Sequence, residues 1–342
     1  MLLDTYQRPL MDLRISVTDR CNFRCTYCMP LDEYDWIEKQ EILTYEEIVG
    51  LVNIFVQLGV DKIRLTGGEP LVRRDLEKLV SQLSPLPGLR DLCLTTNGSL
   101  LAEKAPALKA AGLRRVNVSL DTLNPEKFRA MTKRGDLDKV LEGLLAAKHS
   151  GLQPIKINAV IERGVNDDDI LDLVDFSRKN GFDIRFIEYM DVGNSNGWVS
   201  EKVVPKAEIL SKITSHYGLR ETGRRGGSAP SVDYQVIDGT GDIGVIASVT
   251  EPFCSSCTRA RLTADGKLVT CLFSARGHDL KALIRNGASD EKVRNVISAV
   301  WRIRTDRYSD ARLEAMKSAH GYEAIDRPIF PQFLPAAMFC SC

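Results

Sequence analysis

The chain has 342 residues, of which 44% are hydrophobic and 27% are charged, as in an ordinary water-soluble globular protein. Its 46 basic and 46 acidic residues give a formal net charge of zero, which argues against a nucleic-acid-binding protein that relies on a broad basic surface. No apolar run reaches the length of a membrane span and the polar first residues do not resemble a signal peptide. We therefore expect a cytoplasmic protein that binds neither a membrane nor nucleic acid.

Short apolar or β-branched runs alternate with longer segments of helical periodicity through the first two-thirds of the chain. This alternation predicts βαβ units and a parallel sheet of six strands, in either an open barrel or a doubly wound sheet. Gly59, Gly112, Gly151 and Gly181 follow predicted helices and are typical of helix ends. The predicted strands span residues 13–17, 62–66, 91–95, 115–120, 155–161 and 184–189, and the predicted helices span residues 45–58, 76–83, 101–111, 137–150 and 168–180.

Unusual residues follow four successive predicted strands. They are Cys21, the Gly-Gly-Glu-Pro sequence of residues 67–70, the Thr-Asn-Gly sequence of residues 96–98, and Asp121. Active sites of parallel α/β folds gather at the carboxyl ends of the strands. This agreement among four loops favours a barrel with a single active face.

The sequence pattern changes after about Pro205. A glycine-rich loop at residues 223–230 precedes strand-like runs at 234–237 and 243–249, and a helical segment follows at 291–301. We therefore expect two domains, a barrel domain of residues 1–204 and a smaller domain of residues 205–342.

The first cysteine group is Cys21, Cys25 and Cys28, a C-x3-C-x2-C motif. Three thiolates on a short loop can bind three irons of a cubane cluster and leave the fourth iron open to a ligand. Structural zinc is the alternative, but it normally needs four ligands, and none of the four histidines is near this motif in sequence. The motif therefore predicts a 4Fe–4S cluster with an open coordination position.

The second cysteine group is Cys254, Cys257 and Cys271, again three thiolates without an obvious fourth ligand. A second cluster with one open iron explains three cysteines without another residue. The alternative is a zinc knuckle completed by a distant ligand such as His278.

The first cysteine motif resembles the signature of the radical-SAM superfamily, and Thr66-Gly67-Gly68-Glu69-Pro70 resembles its second signature. This resemblance implies a 4Fe–4S cluster whose open iron binds S-adenosylmethionine, with backbone carbonyls and the nearby carboxylate holding the amino group. Glycines in such a loop allow close approach of the backbone.

A wider set of segments resembles the GTP 3′,8-cyclase family of that superfamily. The resemblance implies an α/β fold with an incomplete (βα)6 TIM-like barrel, and a smaller C-terminal domain with an auxiliary 4Fe–4S cluster, making two clusters in all. The resembling segments are residues 12–22, 62–71, 94–98, 115–121, 184–190, 253–262 and 271–273.

The same resemblance assigns candidate site residues. Guanidinium and ammonium groups suit GTP because they neutralise the charges of a triphosphate through charge-assisted hydrogen bonds. The cluster ligands would be Cys21, Cys25, Cys28, Cys254, Cys257 and Cys271, and the contacts to S-adenosylmethionine Tyr27, Gly68, Ser119 and Met190. The contacts to GTP would be Arg14, Lys62, Arg64, Thr95, Lys156, Arg185, Arg259 and Arg261, with Arg14, Arg259 and Arg261 also catalytic.

The implied reaction is the conversion of GTP to 3′,8-cyclo-7,8-dihydroguanosine 5′-triphosphate, the first step of molybdenum cofactor biosynthesis. A 5′-deoxyadenosyl radical removes the 3′ hydrogen, and the 3′ carbon radical attacks C8 of guanine. The family also implies a homodimer, a reductant protein such as flavodoxin or ferredoxin, and a downstream cyclic pyranopterin monophosphate synthase. The alternative is a radical-SAM peptide-modifying enzyme, which usually carries more cysteines in its C-terminal part.

The resemblance fades from about Arg312. The family usually ends in a Gly-Gly tail that reaches the active site, whereas this sequence ends Met338-Phe339-Cys340-Ser341-Cys342. We expect no function for Cys340 and Cys342, and we expect that two glycines in place of the last residues would raise activity.

Overall fold

Six parallel strands in sequential order form the centre of a twelve-stranded sheet in the computed structural model. The structure describes residues 1–192, 196–239, 241–274 and 276–318. Each of the six is followed by a helical crossover or a loop at its carboxyl end. Cys340 and Cys342 lie outside the described residues. The six strands are β1 (Asp12–Ser16), β2 (Lys62–Thr66), β3 (Asp91–Thr96), β4 (Arg115–Ser119), β5 (Ile155–Ile161) and β6 (Asp183–Glu188).

Helices cover the outer face of these strands. The first helix begins at a capping box in which the Thr44 hydroxyl accepts the Glu47 amide hydrogen and the Glu47 carboxylate accepts that of Thr44, which satisfies two orphan donors. Its buried face packs on the apolar sides of the strands. The last helix of this set ends at Gly181 in the left-handed region, as a glycine permits. The helices are α1 (Tyr45–Gln57), α2 (Leu76–Leu83), α3 (Leu101–Ala110), α4 (Pro125–Thr132), α5 (Leu137–His149) and α6 (Ile170–Asn180).

The chain after residue 205 continues the same sheet at both of its edges. Strand β9 (Asp242–Ile246) pairs in parallel with β6, and β10 (Arg259–Leu262) pairs in parallel with β1. The barrel is therefore open, because β1 and β6 have these partners on their outer sides. The remaining elements are α7 (Lys206–Thr214), β7 (Leu219–Gly223), β8 (Val232–Val236), β11 (Lys267–Val269), β12 (His278–Asp279), α8 (Leu280–Arg285), α9 (Asp290–Arg302) and α10 (Tyr308–Lys317).

The six predicted strands and five predicted helices of the barrel are confirmed, with bounds that agree to within two residues. Helix α4 was not predicted, nor were α7, α8 and α10. None of the helices in the described part of the chain combines the length and apolar character that a membrane crossing needs.

Candidate functional site

The loop after β1 carries the first cysteine group into an open cavity at the carboxyl ends of the strands. The loop is fastened to the end of α4, because the amides of Arg24 and Thr26 donate to the carbonyls of Thr132 and Met131, each at 2.9 Å. Among the predicted residues, the cavity is lined by Cys21, Cys25, Cys28, Tyr27, Gly68, Thr95 and Ser119.

Gly68 holds its loop against the backbone that leads into the cysteines. The Gly68 amide donates to the Thr18 carbonyl at 2.8 Å, and the Glu69 amide donates to the Arg20 carbonyl at 2.8 Å. A methyl group at position 68 would overlap the Arg20 carbonyl and come within 2.5 Å of the Asp19 carbonyl oxygen. The sequence requires glycine here because two backbone segments meet without room for a side chain.

Glu69 is fully buried beside the cysteines. Its carboxylate accepts hydrogen bonds from the Leu71 amide at 3.0 Å, the Thr96 hydroxyl at 2.7 Å and the Asn97 amide at 2.6 Å. Burial raises its pKa to about 7, although these donors oppose the shift. The carboxylate thus ties the loops after β2 and β3 together at the cavity.

Tyr27 is held by a residue to which the sequence analysis gave no role. The Tyr27 hydroxyl donates to Asp121 at 2.7 Å, and the other Asp121 oxygen accepts the Val160 amide at 2.8 Å. Burial raises the pKa of Asp121 to about 6. Asp121 is the second residue after the end of β4, and that position was the only signal available in the sequence.

The other two predicted contacts to S-adenosylmethionine, Ser119 and Met190, have different surroundings. Ser119 lines the cavity, and its hydroxyl has no hydrogen-bond partner within the described residues. Met190 does not line the cavity; it lies in an apolar cluster with Met29, against which Cys21 and Cys28 pack.

The predicted basic residues are brought together by the register of the sheet. Arg14 on β1 is aligned with Arg64 on β2 and with Arg261 on β10, and aligned residues of parallel strands point to the same face. Arg259 precedes Arg261 by two residues and shares that face, where it is aligned with Asp12. All of these side chains are buried in the interior of the barrel.

A second set lies on the same face of strands β3 to β6. Thr95, Asn117 and Lys156 are aligned on neighbouring strands, and Arg185 is aligned with Asn158 one step further along. The hydroxyl of Thr95 has no hydrogen-bond partner within the described residues. Asn117 and Asn158 were not among the predicted site residues, although both occupy alternate positions of predicted strands.

The interior face is strongly basic. Strands β1 to β6 and β10 present eight basic side chains and three acidic ones on this face. The basic ones are Arg14, Lys62, Arg64, Arg115, Lys156, Arg185, Arg259 and Arg261, and the acidic ones are Asp12, Asp91 and Asp183.

This excess of buried positive charge is unfavourable in free energy, because the charged groups are removed from water and repel one another. Burial and the neighbouring guanidinium groups of Arg64 and Arg259 hold the pKa of Arg14 well below its ordinary range. Burial and Arg185 lower the pKa of Lys156 to about 8, although the Asp183 carboxylate lies 2.9 Å from the ammonium group. An anionic ligand would relieve this repulsion.

The second cysteine loop, residues 253–258, lies at the amino end of β10. Because β10 runs parallel to β1, Cys254 and Cys257 are at the opposite end of the barrel from Cys21. The predicted active face, formed by the loops after β1 to β4, therefore does not include the second group. Strand β1 has five residues and is roughly 16 Å long, and the two groups lie beyond its opposite ends. The basic interior lies between them.

Arginine side chains surround Cys257. The Nε atom of Arg259 donates to its Sγ at 3.4 Å. Burial alone would raise the pKa of Cys257, but Arg259 and Arg304 lower it to about 5, so this thiol ionises readily. Burial raises the pKa of Cys271 to about 11, and that thiol would lose its proton on binding a metal.

Each cysteine group supplies three thiols, and each thiolate of a cubane cluster binds a separate iron. Within the described ranges, no three Cys, His, Asp or Glu side chains converge on a point that one metal ion could occupy. His278 lies on β12, two strands away from β10.

Comparison with known proteins gives two family matches and many relatives. Residues 15–177 match the Radical SAM superfamily, and residues 182–310 match Molybdenum Cofactor Synthesis C. A protein of Acidothermus cellulolyticus named GTP 3′,8-cyclase is 52% identical over 90% of this chain and 88% of its own length. A protein of Aquifex aeolicus with the same name is 49% identical over 91% of this chain and 95% of its own.

Among solved structures, Streptococcus suis SuiB bound to precursor peptide SuiA superposes with a TM-score of 0.60 over 84% of this chain and 67% of that one. The two sequences are 15% identical, so the likeness concerns the fold.

Proposed function

The chain belongs to the GTP 3′,8-cyclase family of the radical-SAM superfamily, and on that premise we propose how its residues convert GTP to 3′,8-cyclo-7,8-dihydroguanosine 5′-triphosphate, the first step of molybdenum cofactor biosynthesis. The observation that supports the proposal most is the buried basic interior between the two cysteine groups. A peptide substrate would not need such a concentration of positive charge, so the peptide-modifying alternative is less supported.

The family implies one 4Fe–4S cluster and S-adenosylmethionine. We assign this cluster to Cys21, Cys25 and Cys28, and its bound, reduced form supplies the deoxyadenosyl radical chemistry that removes the 3′ hydrogen of GTP. Tyr27, Gly68, Ser119 and Met190 are the proposed contacts of S-adenosylmethionine, and the first three line the cavity next to these cysteines. Gly68 fixes the approach of two backbone segments, and the Asp121 carboxylate orients Tyr27.

GTP is proposed to lie in the basic interior. Arg14, Arg64 and Arg261 form one row across three strands and would neutralise phosphate groups through charge-assisted hydrogen bonds. The full set of proposed contacts is Arg14, Lys62, Arg64, Thr95, Lys156, Arg185, Arg259 and Arg261. The buried hydroxyl of Thr95 supports its assignment. A buried hydroxyl without a hydrogen-bond partner is unfavourable in free energy, and a bound ligand would supply that partner. These residues would hold the 3′ carbon and C8 of guanine close together and exclude water.

We assign a second 4Fe–4S cluster to Cys254, Cys257 and Cys271, whose thiolates would hold three of its irons and leave the fourth able to bind guanine. The three thiols and the neighbouring Arg259 and Arg261 support this assignment, because one strand carries both arginines from the cysteine loop into the basic interior. The reductant protein, the downstream synthase, the homodimer and the boundary between residues 204 and 205 stay predictions of the family resemblance.

The test is an anaerobic reconstitution with iron and sulfide, followed by dithionite, S-adenosylmethionine and GTP. We expect about eight irons per chain, 5′-deoxyadenosine formation and a cyclised nucleotide by mass spectrometry. Cys28→Ala should abolish 5′-deoxyadenosine, whereas Cys257→Ala should keep about four irons and lose the cyclised product. Deoxyadenosine without consumption of GTP in the wild-type protein would refute the cyclase assignment.

A further inference from the structure

The first ten residues lie against the second cysteine loop. They fold back through a β-bridge between Leu3 and Pro9, and the Met11 and Asp12 amides donate to the Thr258 carbonyl. The indole nitrogen of Trp301 on α9 donates to the Arg8 carbonyl at 3.1 Å, so the segment is also fixed to α9.

Asp4 is the centre of a buried ionic group in this segment. One of its carboxylate oxygens accepts the backbone amides of Tyr6 and Arg8, both at 2.9 Å. The other oxygen accepts Nε of Arg8 at 2.6 Å and Nη1 of Arg304 at 3.4 Å. The side chains of Asp4, Arg8 and Arg304 are no more than 2% exposed.

The two arginines hold both ends of the C-x2-C sequence. Nη1 of Arg8 donates to the Cys254 carbonyl at 2.8 Å, and Nη1 of Arg304 donates to the Cys257 carbonyl at 2.8 Å. The backbone position of each cysteine is thus set by a guanidinium group that Asp4 orients.

A buried ionic group of this kind is weak evidence for stability, because apolar side chains of similar volume often stabilise as well. Charged donors do two things that apolar side chains cannot. They fix the carbonyl groups of the cysteine loop, and they place positive charge beside the thiols. The potential of an iron–sulfur cluster rises with positive charge and hydrogen bonding around it, because the reduced form carries one more negative charge.

We propose that Arg8 and Arg304, oriented by Asp4, position the second cysteine loop and raise the reduction potential of the cluster bound there. This inference rests on the second cluster of the proposed function. Asp306 acts in the opposite sense on the same cluster, since its carboxylate lies 3.3 Å from Nε of Arg304 and accepts the hydroxyl of Ser274, three residues after Cys271, at 3.5 Å.

The test is a redox titration of the anaerobic holoenzyme, with both clusters followed by electron paramagnetic resonance. Arg304→Gln should move the midpoint potential of the second cluster to more negative values and leave the first cluster unchanged. Asp306→Asn should move it to less negative values. Arg304→Lys keeps the charge and should retain a potential near that of the wild type. Arg285→Gln, on a surface pair with Glu47, is the matched control and should change neither potential.

Positioning is measured separately by amide hydrogen exchange of residues 253–258 in the same holoenzyme. Asp4→Asn should speed exchange there, because both guanidinium groups lose their orienting carboxylate. If the wild-type protein contains only about four irons per chain, both the second cluster and this inference are refuted. About eight irons with equal potentials in all variants, or shifts of the same sign in Arg304→Gln and Asp306→Asn, would overturn only the inference.

Discussion

We predict that the Lys156 amine takes up a proton when GTP binds near pH 8. Burial and Arg185 lower its pKa to about 8, so in the free protein the ammonium group is about half protonated at pH 8 and about one-tenth protonated at pH 9. A bound triphosphate adds negative charge nearby and restores the protonated form. Binding should therefore take up about 0.5 proton at pH 8 and about 0.9 at pH 9 through this residue.

The same shift predicts how the stability of the free protein depends on pH. The folded-state pKa lies below the ordinary value of 10.5, so the unfolded chain binds more protons between about pH 8 and 10.5. The free energy of unfolding contributed by Lys156 therefore rises with pH through this window. The full change is on the order of 3 kcal/mol, since one pKa unit corresponds to about 1.4 kcal/mol.

Isothermal titration calorimetry of GTP binding, in buffers that differ in ionisation enthalpy, measures the proton uptake directly. The phosphate groups of GTP are already ionised above pH 8 and contribute little. Lys156→Met should bind GTP more weakly and lose the uptake, and Lys156→Arg, with its permanent charge, should bind GTP without the uptake. Equal proton uptake by wild type and Lys156→Met at pH 8 to 9 would refute the reasoning.

Three further predictions concern the proposed S-adenosylmethionine and GTP sites. Gly68→Ala forces the cysteine loop away from the Arg20 carbonyl and should lower S-adenosylmethionine affinity at least tenfold, about 1.4 kcal/mol, in equilibrium binding, whereas Gly50→Ala, with open space around it, should not. Arg261→Ala should keep about eight irons yet lose cyclisation, and undiminished GTP turnover would exclude its role. Tyr27→Phe loses the hydrogen bond to the buried carboxylate and should raise the dissociation constant of S-adenosylmethionine several-fold, by about 1 kcal/mol; an unchanged constant would count against it.

The barrel could be predicted because its signals are local. Strands such as β2 are short β-branched or apolar runs, and helices such as α1 carry caps that the sequence displays. Helix α4 was missed although Asn124 and Pro125 are start signals, because Phe128 and Met131 give too short an apolar pattern. Helix α7 was missed for the same reason, since it buries Ile209 and Ile213 alone.

The two cysteine motifs could also be predicted, because each lies mostly within a short segment of the sequence. Their positions relative to each other in the fold could not be predicted. The parallel pairing of β10 with β1 aligns Arg261 with Arg14 and moves the second cysteine group to the opposite end of the barrel. The hydrogen bond between Tyr27 and Asp121 likewise joins residues from two separate βα units. Such contacts depend on strand order, which spacing along the sequence does not determine.

The late arrival of β10 has a consequence for synthesis of the chain. Strand β1 is among the first segments to leave the ribosome, but its outer neighbour begins at Arg259. At a synthesis rate of about 5 to 20 residues per second, that edge of the nascent sheet lacks a neighbouring strand for roughly 10 to 50 s. An unpaired edge of apolar strands is a template for wrong pairing with other chains. The expression yield of this protein should therefore depend on how well the cell keeps incompletely synthesised chains from pairing with one another.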